Sequence, residues 1–185
     1  QIDVDASTFA LDNYGLELEN FNGRIFYNSD DGLRSERLHG QLFGHETAIT
    51  LGTELLEQQS RTLIEVDTRA SVKQLARWSK QPALLFAEGE VPLNVHVELN
   101  HRKASPAGDQ QPAEFLVDGQ GGHEDDLMAA VGVTADLAGI KVNLPKPLGK
   151  SASEPGQLVI NYILGKQTAL ADVHYLDRLR ATLHV

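Results

Sequence analysis

The 185-residue sequence contains no cysteine, and this absence excludes several kinds of chemistry at once. Structural disulfides, thiolate zinc sites, iron–sulfur clusters and thiol catalysis all require cysteine. No run approaches the ~18 consecutive apolar residues of a membrane-spanning helix, and the N-terminus lacks the basic and apolar regions of a signal peptide. The lack of cysteine does not by itself assign a cellular compartment.

Positive charge is also scarce, with 16 basic residues against 26 acidic ones and a formal net charge of −10. Nucleic-acid binders need a basic face that displaces counterions from phosphates, so this class of function is excluded. The same charge argues against broad adsorption to anionic headgroups. A local basic strip or an apolar contact with lipid stays compatible with the composition.

Catalytic motifs are missing as well. The sequence has no Gly-x-Ser-x-Gly elbow and no Gly-x-Gly-x-x-Gly turn before a helix, and His45-Glu46 is not followed by the second histidine of a zinc protease. The acidic cluster at 121–126 lacks the ligand spacing of a calcium loop and is interpreted as a solvated turn. We therefore predict that the chain is not an enzyme and holds no metal and no cofactor.

What the sequence does contain is alternation of apolar and polar residues, which is typical of strands with one buried face. The clearest example is Val91, Leu93, Val95, Val97 and Leu99, separated by polar residues and Pro92. Similar strands are predicted around Leu16 and Leu18 and over 24–28, 34–43, 47–53, 62–70, 113–118, 127–137, 158–164 and 168–185.

Short turns between these runs, such as Asn22-Gly23 and 29–32, favour antiparallel hairpins over parallel crossovers. One helix is predicted over 71–81, with Ser71 as the N-cap and Pro82 closing it. Trp78 on this helix is interpreted as a packing anchor. The predicted fold is mainly β, with a long twisted antiparallel sheet that forms a curved groove and one short α-helix.

Two polar segments rich in proline and glycine, near 100–112 and 146–156, are predicted to be mobile loops. Residues 1–185 begin and end inside alternating patterns. We expect them to be a single fragment of a larger repeating β-groove protein.

The apolar sides of so many strands need a cover. A second sheet, closure into a barrel, the single helix or an apolar ligand can each provide it, and periodicity alone does not choose between them. If the face is an open groove, the residues expected to contact lipid are Leu38, Leu42, Ile49, Leu51, Ile64, Val66, Val91, Leu93, Val95, Val97, Leu99, Ile160 and Tyr162. Some of them are expected to be ordinary core under the helix.

Three segments together resemble one known family. Residues 21–27 with 32–44 are similar to the glycine-led hairpins of the YhdP family of AsmA-like proteins, and 75–78 with 84–93 to its short helix and following strand. The strongest match is 135–150, which resembles the family pattern S-D-L-x-G-ϕ-x-ϕ-x-L-P-x-P-ϕ-x-K, where ϕ is apolar. Ala135 stands where serine is commoner.

This resemblance implies a large periplasmic protein, attached to the inner membrane by a helix outside these residues and involved in outer membrane biogenesis. It implies an apolar β-groove that carries phospholipid toward the outer membrane, with an outer-membrane or envelope protein as a partner. It supplies no catalytic residues. The alternative function is a closed β-sandwich or barrel that serves as a structural or protein-interaction module of an envelope protein.

The end of the strongest match has its own physical interpretation. Pro145 and Pro147 lack a backbone N–H, so the preceding strand must leave its ladder there. This places Lys150 at a rim, where we expect it to be solvated in preference to binding a phosphate headgroup.

Overall fold

Alternating side chains and short turns produce a meander of antiparallel strands in the computed structural model, which describes residues 1–11, 15–56, 59–102, 129–164 and 169–184. The α-helix α1 spans Val72–Ser79, and a 3₁₀ helix spans Pro82–Phe86. The strands are β1 (Ile2–Leu11), β2 (Leu16–Asn28), β3 (Gly32–Ser35), β4 (Leu38–Leu42), β5 (His45–Leu55), β6 (Gln59–Ser71), β7 (Ala87–Glu88), β8 (Glu90–Arg102), β9 (Ala129–Asp136), β10 (Lys141–Val142), β11 (Gln157–Leu164), β12 (Ala169–Tyr175) and β13 (Leu179–His184).

Eleven of these strands form one sheet in the order β1-β2-β3-β5-β6-β8-β9-β11-β12-β13, with β4 also lying between β2 and β5. Strands β7 and β10 pair separately. The predicted fold class, mainly β with a large antiparallel sheet and one short α-helix, is confirmed. Within the described ranges β1 and β13 each have one neighbouring strand, so the sheet is open and is not the closed sandwich or barrel of the alternative interpretation.

Two long predicted strands are interrupted. The predicted strand over 34–43 divides into β3 and β4 where the Glu36 N–H donates to the Arg24 carbonyl oxygen at 3.0 Å. The predicted strand over 168–185 divides into β12 and β13 at a turn in which Leu176 has a φ of 50°. In both places the alternation lapses for a few residues, with 34–37 all polar and Tyr175-Leu176 followed by Asp177-Arg178, so the strict pattern does not extend through the break.

The helix predicted over 71–81 is observed as α1, with Ser71 as its N-cap and Lys80 as its C-cap. The Ser71 hydroxyl accepts from the Gln74 N–H at 3.2 Å, and the Gln74 side chain accepts from the Ser71 N–H at 3.0 Å, which completes a capping box. Trp78 packs on another ring, in line with its interpretation as a packing anchor, but it does not belong to the buried core. It is 41% exposed, and its ring meets the edge of Phe43 at a centroid distance of 5.8 Å.

The two loop predictions have different outcomes. Asn100, His101 and Arg102 belong to β8 and not to a loop. The rest of the predicted loop up to 112, the predicted strand over 113–118 and the acidic cluster at 121–126 lie outside the described residues. The segment 146–156 is irregular, as predicted, and its contacts are described with the site below.

Buried apolar side chains concentrate at one end of the sheet, where α1 lies. Val72 packs there with Val91, Ala135, Leu137 and Ile140, each at most 6% exposed. Of the eleven apolar residues that are buried in the described ranges, five are alanine. Most large apolar side chains of the central strands are therefore outside the closed core.

Candidate functional site

The centre of the sheet carries two continuous rows of apolar side chains. In an antiparallel sheet, residues that pair across strands point to the same side, so the strand register fixes which side chains are neighbours. We define row 1 as Ile49, Val66, Val95, Val133, Ile160, Val173 and Ala181. We define row 2 as Leu51, Ile64, Val97, Val131, Tyr162, Ala171 and Leu183.

Each row crosses seven strands from β5 to β13. Six steps between strands of about 4.8 Å give each row a length of about 29 Å. Every member of both rows is apolar or, at Tyr162, aromatic with a polar tip. The rows therefore form an apolar band across most of the sheet, which we call the apolar face.

All thirteen predicted groove residues lie on this same side of the sheet. Eight of them are members of rows 1 and 2, and the other five occupy neighbouring register positions. Leu38 and Val91 are only 0% and 4% exposed, so the structure assigns these two to the core, and their assignment to lipid contact is corrected. The other eleven are partly buried, and their contact with lipid stays a prediction.

One end of the apolar face is closed by α1. Val72 and Leu75 of this helix pack against Val91 and Leu93 of β8, and β8 then continues into row 1 at Val95. Gly89 allows the segment after β9 to approach at the same end, because a Cβ there would lie 2.8 Å from the Cδ1 of Ile140 and its φ is 131°. The helix and the segment after β9 therefore border the face at this end.

Lys150 is neither solvated nor at a rim, which corrects the prediction. It is 4% exposed, and its Nζ donates to the carbonyl oxygens of Leu137, Ile140 and Ser151 at 2.7, 3.0 and 3.1 Å. These three acceptors compensate an ammonium group that has lost its water. Burial lowers the pKa of Lys150, while the charges of Glu154 and Asp136 act in the opposite direction.

Side chains of Tyr175 and Arg178 also donate hydrogen bonds to the backbone next to Lys150. The Tyr175 hydroxyl donates to the Leu148 carbonyl oxygen at 2.8 Å, and Arg178 donates to the Gly149 carbonyl oxygen at 2.8 Å. Arg178 also pairs with Glu154. Burial raises the pKa of Tyr175, as expected for a phenol with little access to water. The irregular backbone over 146–156 is thus held by hydrogen bonds from its own lysine and from β12 and the following turn, which does not favour the predicted mobility.

The opposite side of the sheet is polar. Arg61 bridges Glu54 and Glu98 at 2.6 and 3.1 Å, and its pKa is raised chiefly by the hydrogen bond to Glu54. The His96 ring lies 2.6 Å from the Glu65 carboxylate. Cross-strand charge pairs of this kind suit a solvated face and contribute little each. The sheet therefore has one polar, solvated side and one apolar side.

The described residues contain no group of three or more histidine and acidic side chains that could hold a metal ion. Their longest α-helix has eight residues, and none has the length and apolar character needed to cross a bilayer.

Sequence reasoning missed part of the apolar face. Val131 and Val133 lie in rows 1 and 2 but were not among the predicted groove residues, although alternation over 127–137 marks them. Val173 and Ala181 are also row members that were not among the predicted groove residues, although they lie in the alternating pattern over 168–185. The buried role of Lys150 had no local signal, since it depends on carbonyl groups up to 13 residues away.

In a comparison with protein families, residues 1–184 match the model described as YhdP protein. Comparison with curated proteins and with solved structures gives no match.

Proposed function

Because the chain belongs to the YhdP protein family, an envelope protein family, we propose that it is a segment of a periplasmic bridge-like lipid-transfer protein. Its apolar face carries the acyl chains of phospholipids between the inner and outer membranes. The family is not known for enzymatic activity, and we assign no catalytic residue.

The observation that carries this proposal is the continuity of rows 1 and 2. A bilayer has a hydrocarbon core of about 30 Å, so one acyl chain extends about 15 Å, roughly half the length of a row. Each buried CH₂ group contributes about 0.8 kcal/mol, which makes contiguous apolar length the quantity that binds an acyl chain. A polar constellation is not required.

The localisation and partners of the longer protein extend this proposal. We propose attachment to the inner membrane by a helix outside these residues, and an outer-membrane or envelope protein as the receiving partner. No observation favours the alternative of a closed interaction module, because the described strands form an open sheet.

The test is lipid content after purification, measured by native mass spectrometry on the 185-residue chain. Val95→Asp places a charge in row 1, and Thr134→Asp is the matched control, because Thr134 lies next to Val133 but points to the polar side. The unmodified chain should carry phospholipid. Val95→Asp should stay folded by circular dichroism and lose about tenfold or more of that lipid, since a charge among acyl chains is costly, while Thr134→Asp retains it.

Three results would contradict the proposed function or the role of Val95 in it. Absence of phospholipid from the unmodified chain contradicts the proposed function. Unfolding of Val95→Asp identifies Val95 as closed core. A folded Val95→Asp with undiminished lipid removes Val95 from the binding face.

A further inference from the structure

Two short segments of this acidic chain carry three basic residues and no acidic one, and in the second, 137–153, Lys150 is buried. Residues 70–87 contain no Asp or Glu but include Lys73, Arg77 and Lys80. Elsewhere acidic residues dominate, since the whole chain has a formal net charge of −10. Residues 70–87 are therefore a local basic strip with three exposed cations on a molecule that is acidic overall.

The three cations share one flank of α1 and its C-cap. Their spacing of four and three residues places them on neighbouring turns, beside the stripe that buries Val72 and Ala76. All three are exposed, and within the described ranges none of them forms an ion pair. The Arg77 Nε donates only to the Lys73 carbonyl oxygen, at 3.3 Å.

Arginines on the polar side of the sheet differ in this respect. Arg24 pairs with Glu36 at 3.1 Å, Arg34 with Asp31 at 3.6 Å and Arg37 with Asp67 at 3.2 Å. These three are about half exposed or more, yet each has a carboxylate partner. The basic strip on α1 is thus cationic without a counter-charge of its own.

Exposed apolar side chains lie on the 3₁₀ helix that packs on α1. Leu85 and Phe86 of the 3₁₀ helix are 75% and 48% exposed, and this helix packs on α1. Unpaired cations next to exposed aliphatic and aromatic groups match the two chemistries of a phospholipid, a phosphate and an acyl region. An inorganic anion would interact with the cations only and would leave the apolar groups without a partner.

We propose that Lys73, Arg77 and Lys80 bind the phosphate of a phospholipid whose acyl chains lie on rows 1 and 2. This inference rests on the proposed function and adds where the headgroup is held. α1 borders the apolar face through Val72, so a lipid lying on that face brings its polar end to the helix. The strip makes this border selective for anionic lipid over neutral lipid.

The test compares phosphatidylglycerol with diacylglycerol of identical acyl chains. Each is offered in vesicles to the 185-residue chain, and the lipid taken up is measured by mass spectrometry. The test variant is Lys73→Gln/Arg77→Gln/Lys80→Gln. The matched control, Arg24→Gln/Arg34→Gln/Arg37→Gln, removes the same charge from the polar side. A charge-conserving variant, Lys73→Arg/Arg77→Lys/Lys80→Arg, separates charge from packing.

We expect the unmodified chain to prefer phosphatidylglycerol about tenfold at low salt, with the preference falling at 1 M salt. The test variant should lose this preference and keep its uptake of diacylglycerol. The control and the charge-conserving variant should keep the preference.

A test variant that retains the preference overturns the inference and leaves the proposed function standing. Uptake of neither lipid by the unmodified chain overturns the proposed function, and the inference with it. Equal affinity for glycerol phosphate identifies a general anion site, and binding to intact vesicles without lipid uptake identifies a membrane-docking surface. Either of these two results also overturns the inference.

Discussion

The ammonium group of Lys150 is held in a place that water does not reach. Its three carbonyl partners come from the end of β9, the start of β10 and its own loop, so one side chain ties three backbone segments together. Hydrogen bonds to a charged donor are worth about 1.5–3 kcal/mol each before the cost of desolvation is subtracted. This residue therefore fixes the border of the apolar face.

Replacing Lys150 by Met keeps most of the volume and removes the donor. Three buried carbonyl groups then lose their partner, and we expect the free energy of unfolding to fall by about 2 kcal/mol. Urea denaturation measures this change. Lys146→Met is the control, because Lys146 is exposed on the same loop and its loss should shift stability by less than about 0.5 kcal/mol. Equal effects of the two variants would contradict the role of Lys150.

Tyr175 makes the same border sensitive to alkaline pH. Burial raises its pKa above the ordinary value of about 10, so above that pH the unfolded chain loses the proton more readily than the folded one. Stability from this group is complete below about pH 10 and is lost as the pH rises through the folded-state pKa. Tyr175→Phe lacks the titrating group and the bond to Leu148.

We expect the unmodified chain to be about 1 kcal/mol more stable than Tyr175→Phe at pH 8, with the gap closing above about pH 10. Urea denaturation at pH 8, 9.5 and 11 measures it. A gap that stays constant over this range shows that the Tyr175 pKa is the same in the folded and unfolded chains, which contradicts the effect of burial.

For individual residues, the sequence predicts little about the contacts of the segment 146–156. Pro145 and Pro147 correctly mark where β10 ends its pairing, because a missing N–H is a local property. The burial of Lys150 is not local, since it requires the carbonyl groups of Leu137 and Ile140 to converge on the loop. A lysine between glycine and serine gives no sign of this.

Among the elements, α1 is the one most completely encoded by its own residues. Ser71 and Gln74 form the capping box, Lys80 ends the helix in a left-handed conformation, and Pro82 begins the next element. All these features act within a few residues, which explains why the sequence predicts this helix closely. The break between β3 and β4 depends on the partner strand β2 and escapes such prediction.

Ser71→Ala removes the hydroxyl that accepts from the Gln74 N–H. We expect a loss of about 1 kcal/mol in stability, the usual cost of deleting an N-cap. Thermal denaturation followed by circular dichroism measures it, with Ser153→Ala in an exposed turn as the control. If Ser71→Ala has the same melting temperature as the unmodified chain, the capping box does not stabilise the helix.

At the scale of the whole molecule, the sheet is amphipathic. One side is crossed by charge pairs such as Arg61 with Glu98, and the other by rows 1 and 2. Alternation within each strand predicts which residues share a side, and this part of the candidate site follows from sequence. The rows themselves follow from register, which depends on how seven strands pair, so their continuity appears only in the folded chain.

Site-specific photocrosslinking tests most directly whether this apolar face binds acyl chains. A benzophenone side chain is placed at Val95, Val97 or Ile160, and at Asn94, His96 or Asn161 on the polar side of the same two strands. Each variant of the 185-residue chain is incubated with phospholipid vesicles and irradiated, and lipid adducts are measured by mass spectrometry. We predict adducts at the three apolar positions and none at the three polar ones. Equal labelling of both sides, or labelling of the polar side alone, would contradict the account.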